Sequence, residues 1–172
     1  MTIGAKLFWG LVAFTALVYG ALGYTSGIVL RGMSGGLPSF DFRSSGYSHE
    51  EAQDFLYALS TGGTEYYLNV VQKIDTVFPA LLTAVLTIGI YHLMRGGSAL
   101  LRLVLLAAPL AYAGFDYWEN GLVRQMLQFI GEELPRELSS LASIATVSKF
   151  AALGAAVLIL LALMVLRWRQ HR

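Results

Sequence analysis

Cysteine is absent from the 172 residues. That excludes disulfides, thiolate metal sites, cysteine nucleophiles and dithiol redox chemistry together. Charge is scarce as well: 13% of residues are charged, against about 25% in soluble domains. The net charge is +1, and no basic patch is interleaved with aromatics on a polar segment. Nucleic acid is therefore not an expected partner. Histidine is limited to His49, His92 and His171. They lie far apart, and the topology derived below separates them across a membrane, so no metal site is expected. Gly96-Gly97 lacks a phosphate-loop pattern, and no G-x-S-x-G or H-E-x-x-H motif occurs. No cofactor is expected. No repeat or low-complexity segment divides the chain, which reads as one domain over residues 1–172.

What the sequence has in abundance is apolar surface, at 56% of residues. A soluble domain of this length cannot bury that much. Four apolar stretches stand out, at about 7–30, 76–94, 103–123 and 141–166. Each is close to the roughly 20 residues that cross about 30 Å of hydrocarbon as a helix. None alternates polar and apolar as a barrel strand would. The fold class is all-α, a bundle of four transmembrane helices. The first run, at about 24 residues, is longer than the 7–15 of a signal-peptide core, which favours a retained helix.

Charge sets the orientation. Lys6, Arg95, Arg102, Arg167, Arg169 and Arg172 share one side, and no acidic residue joins them. The excess of Lys and Arg predicts that both termini and the 94–102 loop are cytoplasmic, in a bacterial inner membrane. Trp9 and Trp168 suit the inner interface; Tyr24, Tyr112, Tyr117 and Trp118 suit the outer half. Tyr91 and His92 read as anchors at the inner boundary, and Arg31, Arg43 and Arg124 as surface or headgroup contacts.

The outer loop, residues 31–75, is long enough to have structure. Gly32, Gly35, Gly36 and Pro38 should stop the first helix. Ser48 and Glu51 form a capping-box pattern, and Ala52, Phe55, Leu56 and Leu59 follow at helical spacing. A short amphipathic helix is predicted over residues 48–60, ended by Gly62-Gly63, its apolar face on the membrane or capping the bundle. Residues 65–75 should run as helix into the second span, with Pro79 placed to bend it. The third helix is expected to extend out of the bilayer as far as Phe129.

The informative residues are polar ones in apolar surroundings. Asp116, Glu119 and Asn120 fall at i, i+3 and i+4, on one helix face. Asp116 lies about 20 Å above the inner boundary, and Lys149 about 12 Å below the outer one. In a core about 30 Å thick the two nearly share a depth. Their helices are consecutive and antiparallel, so Lys149 should pair with Asp116 or Glu119. Ala142, Ser143, Thr146 and Lys149 followed by Leu153 form a stripe of mainly small or polar residues that lets helices approach and hydrogen-bond. A charge inside the bilayer costs about 2.5–3.5 kcal/mol on insertion scales. Either the cluster is a structural ion pair, with Glu119 and Asn120 near the headgroups, or it lines a cavity and acts on a ligand, proton or substrate. Asp75 reads either as an interfacial acid near a helix N-terminus or as part of that cluster.

Three segments in order carry a resemblance: Gly46-Tyr47-Ser48-His49-Glu50-Glu51 leading to Ile74-Asp75-Thr76-Val77-Phe78-Pro79, then Phe115-Asp116-Tyr117-Trp118-Glu119-Asn120, then Ala142-Ser143-Ile144-Ala145-Thr146-Val147-Ser148-Lys149. Over most of the chain after residue 40 this resembles a loose family of uncharacterised four-helix bacterial integral membrane proteins. The resemblance implies that Asp75, Asp116, Glu119, Asn120, Thr146 and Lys149 are the positions to watch. It implies no activity.

The expected function is a non-enzymatic binding or accessory subunit whose partners are the bilayer and a lipophilic ligand or other membrane subunits. The alternatives are a membrane-embedded enzyme with isomerase-like proton chemistry on a lipophilic substrate, and a small proton-coupled transporter. The enzyme reading requires a cavity of several hundred cubic ångströms beside Asp116.

Overall fold

The computed structural model describes residues 2–94 and 98–170. The expectations placed on Arg95, Gly96, Gly97, His171 and Arg172 lie outside the described residues. Among the described residues there is no strand, and four helices are long and apolar enough to cross a membrane. In chain order the helices are α1 (Ile3–Met33), the short α2 (His49–Ala58), α3 (Thr61–Leu93), α4 (Ala99–Phe129) and α5 (Arg136–Gln170).

The long helices exceed the apolar runs because their ends are capped by polar residues that hydropathy does not weigh. Thr2, Ser60 and Ser98 each accept a backbone N–H of the first turn of α1, α3 and α4, which satisfies a donor with no partner inside the helix. Two expected breaks are moved. Gly32 stays helical, and the chain turns at Gly35 and Gly36, whose positive φ angles of 65° and 89° suit glycine. The Arg31 Nε–H donates to the Gly36 carbonyl at 2.8 Å and closes this turn. Likewise α2 ends at Ala58, before Gly62-Gly63. Those glycines lie in the first turn of α3, where the Gly63 N–H donates to Ser60 Oγ at 3.1 Å. A Cβ on Gly63 would meet Leu59 Cδ1 at 2.8 Å, so close packing rather than termination explains it.

Helix α3 is central and packs on α1, α4 and α5, while the α4–α5 interface is the most extensive. Helix α1 makes no extended contact with α5. The buried apolar core sits at one end of the bundle, where the loops and α2 cap it. Ala52, Phe55 and Leu56 of α2 are buried there against Leu30, Phe40, Tyr67, Val71 and Met126. The α2 start has its capping box: the Glu51 N–H donates to Ser48 Oγ at 3.1 Å and the Ser48 N–H to Glu51 Oε2 at 2.7 Å. Gln53 fastens α2 to the 129–136 connection, donating to the Glu132 carbonyl and accepting from the Leu134 N–H. Toward the other end, apolar side chains such as Leu7, Leu17, Leu103 and Leu158 point outward and are exposed. There Arg167 Nη1 donates to the His92 carbonyl at 2.9 Å, tying α5 to the end of α3.

Candidate functional site

Beneath the cap, five ionisable side chains converge. Helix α4 supplies Asp116 and Glu119, α5 supplies Lys149, α3 supplies Asp75, and the turn at Phe40–Phe42 supplies Asp41. The Lys149 Nζ lies 3.1 Å from Asp116 Oδ1 and 3.4 Å from Asp41 Oδ1, and it forms a third ion pair with Glu119. All four side chains in these pairs are at least nine-tenths buried. Such pairs are held only where geometry and further hydrogen bonds offset desolvation. Thr146 supplies one of these: its hydroxyl reaches the Glu119 carboxylate and also lies 3.0 Å from the Ala142 carbonyl. Asn120 supplies another, its Nδ2 donating to Asp116 Oδ2 at 3.2 Å. Gln72 joins α3 to α4, donating to the Asn120 carbonyl and accepting from Arg124 Nε.

The sequence-derived positions Asp116, Glu119, Asn120, Thr146 and Lys149 thus meet at one place. Glu119 is fully buried inside the protein. Asp75 is not near a helix start, because α3 begins at Thr61; it is a buried interior residue whose Oδ2 has no hydrogen-bond partner among the described residues. Pro79, four residues on, has no N–H to donate to the Asp75 carbonyl. Asp75 makes no ion pair with Lys149 and joins the network at its margin, through Asn120.

Two participants stand outside the expected set: Asp41 has no periodic signal, whereas Tyr112 precedes Asp116 by one helical turn. Asp41 sits in a loop between Phe40 and Phe42, where no periodicity fixes its direction. It is delivered by packing: Phe40 is fully buried, with ring centroids 4.9 Å from Tyr47 and 4.8 Å from Phe55. The Arg43 guanidinium lies within 6 Å of all three rings and donates twice to the Pro38 carbonyl. This gives Arg43 an internal cation–π brace, whereas Arg124 stays exposed, as expected of a surface residue, while donating to Gln72 Oε1. The Tyr67 hydroxyl donates to the second oxygen of Asp41 at 3.2 Å. Tyr47 is anchored by its N–H donating to Ser143 Oγ at 2.9 Å. Burial, reinforced by the Glu119 charge, holds the Tyr47 phenol well above its ordinary range. The second is Tyr112, expected as an outer anchor but buried one turn from Asp116.

A cavity of about 650 Å³ opens against this cluster. It occupies the gap between α1 and α5, which make no extended contact. Its walls are apolar: Val12, Ala16 and Leu22 from α1, Phe78, Leu82 and Val85 from α3, and Phe150, Leu153 and Val157 from α5. Its polar end is formed by Asp41, Asp75, Tyr112, Asp116 and Lys149. Apolar walls with a few convergent polar groups are the usual composition of a small-molecule site, and the volume is within the usual range of about 300–1,000 Å³.

No protein-family model, curated protein or solved structure matches this chain, so its function has to be argued from the cavity and the charges at its end.

Proposed function

We propose that this protein spans the bacterial inner membrane with both termini in the cytoplasm and binds a lipophilic small molecule in the cavity between α1 and α5. The observation that carries this reading is the 650 Å³ cavity, whose apolar walls end on buried carboxylates and one ammonium. The outward-facing Leu7, Leu17, Leu103 and Leu158 support insertion in lipid. Lys6, Arg102, Arg167 and Arg169, with no acid among them, support the cytoplasmic placement of that end. The short apolar face of the amphipathic α2 then caps the periplasmic end.

The absence of cysteine makes the topology test direct. Single variants Ser45→Cys and Ser98→Cys are treated with a membrane-impermeant maleimide on spheroplasts. Ser45→Cys should label at once and Ser98→Cys only after permeabilisation; the reverse pattern overturns the orientation. For binding, lipophilic compounds retained by the purified protein are extracted and compared with those retained by Ala16→Trp, which fills the cavity. A compound retained by the native chain and lost in the variant supports the proposal; identical extracts overturn it.

A second reading, isomerase-like proton chemistry, is favoured by Asp116 at the cavity surface within 3.1 Å of Lys149. Return of the bound compound chemically unchanged after prolonged incubation would reject it.

A further inference from the structure

Resting on the cavity as a ligand site, we propose that its ligand carries a protonated amine head, received by Asp75. Four buried carboxyl groups, Asp41, Asp75, Asp116 and Glu119, surround a single ammonium, Lys149. Lys149 is committed to three of them, and Asp75 is the one left over. A buried carboxyl without a cation tends to hold its proton, and an ammonium brought by the ligand is what would let Asp75 ionise and form an ion pair.

The second observation is independent of the charge count. Asp75 is 3% exposed, lines the cavity, and presents Oδ2 without a hydrogen-bond donor among the described residues. A carboxylate oxygen in that state calls for an N–H or O–H donor. An ammonium bearing N–H meets both needs, as a charge-assisted hydrogen bond. A quaternary ammonium supplies charge without a donor, an alcohol a donor without charge, and a carboxylate or phosphate head meets repulsion. A metal ion is disfavoured by geometry, since no three His, Cys, Asp or Glu side chains among the described residues could hold one. The apolar wall of Val12, Phe78, Leu82 and Leu153 suits the hydrocarbon part.

The test is native mass spectrometry of the detergent-solubilised chain with four probes at pH 7: dodecylamine, dodecyltrimethylammonium, dodecanol and dodecanoate. Dodecylamine should bind about tenfold to a hundredfold more tightly than dodecanol, the range expected for one charged hydrogen bond. Asp75→Asn should reduce the amine to the level of the alcohol, and Ala16→Trp should remove both adducts. Asp75→Asn keeps the side-chain volume and an oxygen acceptor toward Asn120, so the thermal midpoint should move little and loss of amine binding is read apart from folding. Equal binding of amine and alcohol to the native chain, or a preference surviving in Asp75→Asn, overturns the amine assignment while the cavity reading stands. Failure of every probe to bind the native chain overturns both.

Discussion

Replacing Lys149 with Met removes the one cation that three buried carboxylates share. At an effective dielectric of about 20, unit charges 3.1 Å and 3.4 Å apart attract by about 5 kcal/mol each before desolvation is subtracted. Most of that is offset by the cost of taking the charges out of water. Breaking a buried pair by removing one partner nets about 3–5 kcal/mol, because the surviving charges stay buried. In a chain of this length each kcal/mol moves the thermal midpoint by about 2–4 °C, so Lys149→Met should unfold about 6–20 °C earlier in detergent. Asp116→Leu alone should be destabilised as well. The double variant should recover part of the loss, with a coupling energy of about 0.5–3 kcal/mol. The assay is tryptophan fluorescence on heating, with the four proteins at one detergent concentration. A Lys149→Met protein within about 1 kcal/mol of the native one, or strict additivity in the double variant, would refute the account of the cluster as a mutually dependent ionic network.

Three further outcomes follow from features outside the ion cluster. Gly46→Ala should destabilise by about 1–3 kcal/mol, because φ is 83° and an added Cβ would stand 2.7 Å from Ser143 Oγ and 3.0 Å from Val147 Cγ2; thermal unfolding reads this, and an unchanged midpoint would reject it. Ser48→Ala removes the hydroxyl half of the α2 capping box and should cost about 0.5–2 kcal/mol; hydrogen exchange should quicken first at the α2 amides. The phenol of Tyr47 is held above its ordinary range, so the folded state keeps its proton while the unfolded chain ionises near pH 10. Stability should therefore fall as pH rises past that point, and Tyr47→Phe should flatten the slope in alkaline unfolding curves.

The parts legible in the sequence are those governed by helical period and depth. Asp116, Glu119 and Asn120 announce a common face by spacing alone, and matched depth on consecutive antiparallel helices brings Lys149 to them. The capping box at Ser48 is equally local. Asp41 is different: its place depends on where Phe40 inserts among Tyr47 and Phe55, a packing decision between segments with no shared period. Glycine misleads for a related reason. Gly32 and Gly63 sit inside helices because Ser60 caps the second and the turn falls later at Gly35 and Gly36; composition alone cannot rank those competing signals. The cavity is the least legible feature, since chain order identifies consecutive helices as neighbours but does not say that α1 and α5 stand apart.

In the proposed membrane-spanning arrangement, that separation would determine how a guest arrives: a gap between the first and last spans would face the acyl chains, and entry would be by sideways diffusion in two dimensions rather than by capture from water. Occupancy then follows the mole fraction of the guest in the surrounding leaflet. Lipid tails are the standing competitors for the space, and a change in bilayer composition alters loading even when the aqueous concentration is held constant.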